Sequence, residues 1–282
     1  MPTLRYVVVD VFTDRALEGN QLAVFTDARE LDAADMQALA RELKFSESTF
    51  VLPPEQGGHA KMRIFTPVTE LPFAGHPTLG TAFVLGGPLQ AAELNLETGN
   101  GTVTVALERD DSGRIAFGRM EQPLPTFEPY EGEEELLAAL GVQRSELPVE
   151  LYDNGMRHVY VALDSDEQVA ALKPDFTRLS ELPPVLGINC FAGAGKRWKT
   201  RMFAPAAGVA EDPATGSAAG PLALHLARHG RIGFGQEIEI SQGAEINRPS
   251  TLYARVDGNA DEVERVEVGG SAVTVARGEF RV

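Results

Sequence analysis

His76 stands in GHPTLGTA (75–82), between a glycine and a proline and ahead of a run of small residues. An imidazole in such a place can take up a proton, give one up or steady an anion. Asp212 stands in DPATGSA (212–218), a stretch of the same make. Glu47 lies in FSESTFV (45–51), after Phe45 and ahead of the apolar strand STFVL. A carboxylate in so apolar a setting can have its pKa raised toward neutrality. That suits a group that must accept a proton from carbon and hand it back.

The stretches around His76 and Asp212 each read as a turn running into a helix. Pro77 and Pro213 are expected at the first helical position, where the amide that proline lacks would be unpaired anyway. The remaining first-turn amides and the helix dipole then offer partial positive charge, and a carboxylate suits such an end. Gly80, Thr81, Ala82, Gly216, Ser217 and Ala218 keep both helices thin, so other structure can pack close.

Competing constellations fail on spacing. Ser217, His76 and Asp212 suggest a hydrolase triad, but GSAAG is not a G-x-S-x-G elbow, and Ser217 falls inside a first helical turn. GAGK (193–196) lacks the remaining residues of a phosphate loop, with Cys190 and Arg197 in their places. His225 and His229 have no acidic ligand between them and read as cations capping a helix end, so no metal is expected. His59 and His158 belong to no visible constellation. Cys190 lies in the apolar run VLGINCFAGAG and reads as a buried small hydrophobe, and Trp198 as core or cleft wall.

These residues need elements to hold them. Residues 5–13 and 21–27 read as strands, 31–45 as an amphipathic helix, and ESTFVLP and KMRIFTP as strands again. Residues 77–87 read as a short helix, apolar nearly all round and ended by Gly86 and Gly87. TGNG and DDSG then mark hairpins. EQPLPTFEPYEGEE, with its prolines and glutamates, reads as a linker at 121–129. Beyond it come strands at 151–164, a helix broken or kinked by Pro174, two more strands, a second small-residue helix stopped by Gly230, and closing strands.

The second half repeats the first. RIFTP (63–67) answers RMFAP (201–205), and HPTLGTA answers DPATGSA, which sets His76 over Asp212, Pro77 over Pro213 and Gly80 over Gly216. A repeat this long implies two similar domains rather than a solenoid. The expected fold is α+β, with domains at 1–120 and 130–271 and a C-terminal strand, about 272–282, packing back onto the first.

With 25 basic and 41 acidic residues the chain carries −16, which argues against nucleic acid or an anionic membrane as partner. A single cysteine allows no intrachain disulfide and fits a reducing compartment. The N-terminus reads as a strand rather than a signal, and no apolar run is long enough to span a membrane.

GNQLAVF (19–25), FSESTFV, ELPFAGHPTLGTA (70–82) and EDPATGSAAG (211–220) occur in this order, and together they strongly resemble the PhzF-like proteins, relatives of a phenazine-biosynthesis isomerase. The resemblance implies the diaminopimelate-epimerase-like architecture. In it, two pseudo-symmetric domains each wrap a curved, mostly antiparallel sheet around a central helix, with the active site in the cleft between them. It implies a cytoplasmic, cofactor-free isomerase, active as a homodimer, that moves a proton between carbons of a small carboxylate-bearing substrate. Glu47 would be the acid/base, with His76 and Asp212 lining the cleft. Gly75 and Gly216 would offer amides, Ser46 and Ser217 hydroxyls, and Asn20 a further contact. The epimerases use paired cysteines at the two helix ends. None stands at either place here, so that two-thiol chemistry is excluded. A racemase or epimerase acting at one carbon, and a homologue that binds a metabolite without turning it over, remain as alternatives.

Overall fold

The computed structural model describes residues 3–183 and 185–281. Residues 1, 2, 184 and 282, which fall within the expected domains and at the end of the expected C-terminal strand, lie outside the described residues. The chain divides into two compact units, Met1–Glu121 with Gly269–Val282, and Gln122–Val268.

The first unit runs β1 (Thr3–Val11), β2 (Asn20–Phe25), α1 (Ala33–Leu43), β3 (Glu47–Leu52), β4 (Ala60–Phe65), β5 (Glu70–Leu71), α2 (Gly75–Leu89), β6 (Glu93–Thr98), β7 (Gly101–Arg109) and β8 (Ile115–Gln122). Most neighbouring strands pair antiparallel, while β2–β3 and β4–β6 are parallel. The small, apolar α2 lies among strands, against β1, β2, β3, β6 and β7. Gly80 shows why it must be thin: a Cβ there would lie 2.7 Å from Leu22 Cδ2 and 2.8 Å from Val11 Cγ2. On the other side of the sheet α1 covers an apolar cluster with Phe25, Phe50 and Phe65, the first two stacked at 4.6 Å. Asp32 caps α1 by accepting from the Asp35 amide. Helix α2 does not end at Gly86 and Gly87 as expected. It runs on to Leu89 and closes on Gln90 in the left-handed region. Glycine permits a helix to end but does not force it, and a buried Gly86 with Leu107 packed on it keeps the helix intact.

The second unit runs β9 (Thr126–Pro129), α3 (Glu133–Leu140), β10 (Glu150–Asp153), β11 (Arg157–Ala162), α4 (Asp166–Ala171), α5 (Phe176–Ser180), β12 (Gly187–Ala194), β13 (Arg197–Ala204), β14 (Val209–Asp212), α6 (Gly216–Arg228), β15 (Ile238–Gln242), β16 (Ser250–Gly258) and β17 (Val263–Gly270). The last strand of the chain, β18 (Ala272–Arg281), pairs antiparallel with β1 along its whole length and so belongs to the first unit; α2 packs on it as well. Residues 121–129, expected as a linker, begin where the two units divide, and Thr126–Pro129 among them form β9. β9 pairs antiparallel with β10, from Thr126 opposite Asp153 to Pro129 opposite Glu150. Pairing satisfies backbone groups that a free linker would leave to water, and the prolines stand at or beyond the strand's ends, where no ladder donor is needed. Around Pro174 the helical pattern is broken into α4 and α5, the second capped by Asp175. Residues Gly216–Ala227 of α6 are all buried, and Gly230, at φ 67°, lies just past its end.

One brace recurs in both units. Arg63 on β4 holds Glu70 on β5 through two hydrogen bonds, of 2.7 and 2.6 Å, and lies over Phe65. Arg201 on β13 holds Glu211 on β14 through bonds of 2.9 and 2.7 Å and lies over Phe203. The segment between arginine and glutamate is three residues longer in the second unit, where Pro205–Ala207 form a 3-10 turn. This extra turn corrects the register read from the sequence. Glu70 matches Glu211, Pro72 matches Pro213 and Gly75 matches Gly216, each the start of its helix. His76 therefore corresponds to Ser217, not to Asp212, whose counterpart is Leu71. Nor is either proline first in its helix: Pro77 is the third residue of α2, and Pro213 precedes α6.

Candidate active site

In the first unit the parallel pairing of β2 with β3 puts Leu22 beside Glu47 and brings the start of β2 to the start of β3. Asn20, Ser46 and Glu47 thus meet at one place, and the first turn of α2 adds Gly75 and His76. Buried hydroxyls of Thr49 and Thr81, 2.9 Å apart, tie β3 to α2 one turn further in. His76 Nδ1 lies 3.2 Å from Asn20 Nδ2, and Asn20 Oδ1 accepts from Ser46 Oγ at 3.0 Å. His76 Nε2 lies 3.4 Å from Glu47 Oε2, with the two side chains 5% and 17% exposed. Burial pushes the His76 imidazole down to about 3, against a smaller upward pull from a Gln21 backbone hydrogen bond. The ring is therefore neutral at working pH. A carboxylate beside a neutral imidazole can take a proton without opposing a nearby positive charge. Ala74 at the N-cap has no side-chain cap, so no side chain of its own competes for the first-turn amides of α2.

In the second unit Asp212 ends β14 and is 6% exposed. Its Oδ2 accepts from Thr215 Oγ1 at 2.6 Å, and Gln242 donates to its backbone carbonyl at 2.8 Å and to Thr215 Oγ1 at 2.9 Å. Ser217, in the first turn of α6, lies 3.0 Å from His158 Nε2. Pro221 explains a further contact. It has no N–H for the carbonyl four residues back, and Asn154 Nδ2 donates to that Ser217 carbonyl instead, at 2.9 Å. Gln122 and Tyr160 hold the carbonyls of Gly216 and Ala218 in the same way, at 2.7 Å each.

The residues expected from sequence thus fall into two groups. Asn20, Ser46, Glu47, Gly75 and His76 come together in the first unit, and Asp212, Gly216 and Ser217 in the second. Asn20 and Ser46, expected to contact substrate, also bond within the site, Asn20 to His76 and Ser46 to Asn20. His158, Asn189, Thr215 and Gln242 were not found by sequence reasoning. His158 carries no motif, and β11 is buried at every residue after Arg157, so nothing in the strand singles the imidazole out.

His225 is a correction. It is fully buried rather than a surface cap. Glu150 Oε2 accepts from Tyr152 at 2.9 Å and from Arg228 at 2.7 Å, and lies 3.2 Å from His225 Nδ1 and 3.1 Å from His229 Nε2. Two imidazoles and a carboxylate make a metal-like donor set. The Arg228 guanidinium, stacked 3.4 Å over Phe127, already serves that oxygen as its cation. Burial alone would raise the Glu150 carboxyl, but hydrogen bonds from His225, Arg228, His229 and Tyr152 hold it well below the usual range. The cluster reads as an ion-pair network closing the C-terminal end of α6. Cys190 is buried in the core of its unit, and burial pushes its thiol up, away from reactivity.

The family profile described as phenazine biosynthesis-like protein matches residues 9–278. The chain is 55% identical over 274 residues to trans-2,3-dihydro-3-hydroxyanthranilate isomerase of Pseudomonas aeruginosa, covering 97% of this chain and 98% of the other. A crystal structure of the Bacillus anthracis phenazine biosynthesis protein of the PhzF family is 27% identical, covers 100% of both chains and superposes with a TM-score of 0.86. A probable proline racemase from Agrobacterium radiobacter is 13% identical over 99% of this chain and 93% of its own, with a TM-score of 0.68, and shares the fold alone.

Proposed function

The chain belongs to the phenazine biosynthesis-like (PhzF) family and is an isomerase, and from that premise we propose that it moves a proton between carbons of trans-2,3-dihydro-3-hydroxyanthranilate, with Glu47 as the one acid/base. The substrate follows from the name of the Pseudomonas aeruginosa relative. The assignment of Glu47 rests on a single observation: a largely buried carboxylate stands 3.4 Å from a neutral imidazole in the first unit, while the matching position of the second unit has no side chain to offer. The match follows from strand register. Glu47 lies three residues before Phe50, the partner of Arg63, and Gly187 lies three before Cys190, the partner of Arg201.

One base suits one kind of reaction. Glu47 takes a proton from a ring carbon, and the electron pair left behind spreads over the adjoining π-system. The same carboxyl then returns the proton to another carbon of that system. No oxidant, reductant or second base is required. A racemase acting at a single carbon needs a second acid/base, and because the position matching Glu47 in the second unit is Gly187, His76 or Asp212 would have to serve. His76 steadies the charge that develops beside Glu47. Asp212 and Ser217 are read as substrate-binding groups of the second unit, where the amide of Gly216 suits a carboxylate as that of Gly75 does in the first. Asn20 and Ser46 act through His76 rather than on the substrate. The protein is read as a cytoplasmic homodimer, an assembly that sedimentation velocity checks.

Incubation with that substrate in heavy water is the test. Conversion is expected, with deuterium entering one carbon to the extent that the proton on Glu47 exchanges with solvent before its return, and Glu47→Gln should lose both conversion and exchange. Retained exchange in the variant would remove Glu47 as the base. Failure of the unaltered protein to convert the compound would overturn the substrate. Inversion at one carbon would replace isomerisation by epimerisation.

A further inference from the structure

The second unit holds a wholly buried imidazole that the proposed reaction does not use. His158 Nε2 lies 3.0 Å from Ser217 Oγ, and its Nδ1 lies 3.5 Å from Asn189 Nδ2. We infer that His158 is a positioning residue that fixes Ser217 as a hydrogen-bond donor, so that the second unit selects an acceptor group, such as a carboxylate, on the substrate. The inference rests on the reading that Ser217 binds substrate.

The proton order comes from the neighbours. Asn189 Nδ2 lies 3.3 Å from the Val159 carbonyl and 3.4 Å from the Gly187 carbonyl. Two carbonyl oxygens fix which end of the amide points there, because reversal would set oxygen against oxygen. The group facing His158 Nδ1 is thus an N–H, and Nδ1 accepts. Burial keeps the ring neutral, so its one proton sits on Nε2 and is donated to Ser217 Oγ. Among the described residues Ser217 Oγ has no other hydrogen-bond partner. Its own proton is left to point at whatever occupies the mouth of α6. A group with lone pairs satisfies it, and an ammonium group does not.

Gly187 makes this arrangement possible. A Cβ there would lie 2.6 Å from His158 Nδ1. The space that Glu47 fills in the first unit is given over to an imidazole in the second.

The direct test is 15N-correlated proton NMR of the full-length protein labelled at histidine, with His158 assigned by its loss in His158→Gln. The expected result is a neutral ring protonated at Nε2 from pH 8 to pH 5. A ring protonated at Nδ1, or a cation at pH 7, overturns the inference. Kinetics give a second, independent arm. His158→Phe should raise KM about tenfold, as for a lost hydrogen bond to a charged group, with kcat changed less than about threefold. His158→Gln, whose amide can still donate, should recover most of that loss. In a Ser217→Ala background, His158→Phe should add nothing. A fall in kcat alone overturns a binding role. An unchanged KM in Ser217→Ala overturns the reading of Ser217 as a substrate contact, and the NMR result stands apart from it.

Discussion

Arg63 and Arg201 clamp their glutamates in the same geometry, and each clamp leads through a proline to a glycine that opens a buried helix. Past that glycine the two units diverge. In the first unit the next residue is His76 and the strand beside it supplies Glu47. In the second the next residue is Ser217, the strand supplies only Gly187, and an imidazole from the neighbouring strand fills the gap. Leu22 and His158 occupy the same register position, each paired across to the next strand, opposite Glu47 and Gly187 respectively. The scaffold is thus repeated while its chemistry is divided. At the position where the first unit carries Glu47, the proposed acid/base, the second carries Gly187, and its mouth offers Asp212 and Ser217 instead.

The sharpest way to break that contrast is Glu47→Gln, which keeps the shape and removes the proton acceptor. Turnover should fall by about 10³-fold, within the range found for general acid–base groups. Removing the second unit's nearest analogue, Ser217→Ala, should act mainly on KM. Equal losses of kcat from both variants would mean that both mouths do chemistry.

The braces test the scaffold half of the comparison. They are alike in geometry and unlike in burial: the Arg63 and Glu70 side chains are 24% and 42% exposed, and those of Arg201 and Glu211 9% and 7%. Arg201 also donates to the carbonyl of Leu172 at 2.8 Å, holding the end of α4. Arg201→Met leaves a buried glutamate and a carbonyl without their cation, and should cost about 3–5 kcal/mol in a urea titration. Arg63→Met exposes its glutamate to water and should cost about 1 kcal/mol or less. Similar costs would show that burial does not separate the two.

Much of this was legible in the sequence, for reasons that particular residues make plain. RIFTP and RMFAP revealed the duplication because the brace needs the same arginine and aromatic in both units. The small-residue helices were legible because a helix buried all round must be apolar and thin. The register was misread by five residues, since the 3-10 turn at Pro205–Ala207 leaves no mark that distinguishes Pro213 as the partner of Pro72 rather than Pro77. The Glu150–His225 network was missed because its carboxylate and imidazole lie 75 residues apart and meet only when β10 reaches the end of α6. Pro221 did not mark a break in α6, because Asn154 supplies the donor that proline lacks. Nothing local announces a distant partner.

Both mouths hold a buried neutral histidine, and that shared property predicts a pH dependence. His76 and His158 are each pushed down to about 3 by burial, from 6.5. Between those values the unfolded chain takes up protons that the folded protein refuses. Stability is therefore full above about pH 6.5 and falls as the pH drops toward 3, by up to about 1.4 kcal/mol per pH unit for each ring. Urea midpoints between pH 7 and pH 5 read the buried histidines, His225 included, whose imidazole burial also pushes down, because carboxylates such as Glu150 contribute below that window. His158→Phe should shed its own share of the slope and leave that of His76 and His225. An unchanged slope in that variant would mean that His158 is already charged in the folded protein, and would separate the two mouths further than their geometry does.

Gly187→Ala asks the smallest question and the most local one. At the matching position the first unit accommodates a glutamate, so the backbone as such tolerates a side chain there. In the second unit the added methyl would meet His158 Nδ1 at 2.6 Å, His158 Cε1 at 3.1 Å and Met202 Sδ at 3.0 Å. Methionine can move aside. The ring cannot turn far without giving up Ser217 on one side and Asn189 on the other. The expected cost is about 1–3 kcal/mol, as for overpacking in a core. It should come with a raised KM and little change in kcat, because Ser217 loses the donor that orients it while Glu47 is untouched. A variant of full stability and unaltered KM would show that Gly187 is not held open for the imidazole.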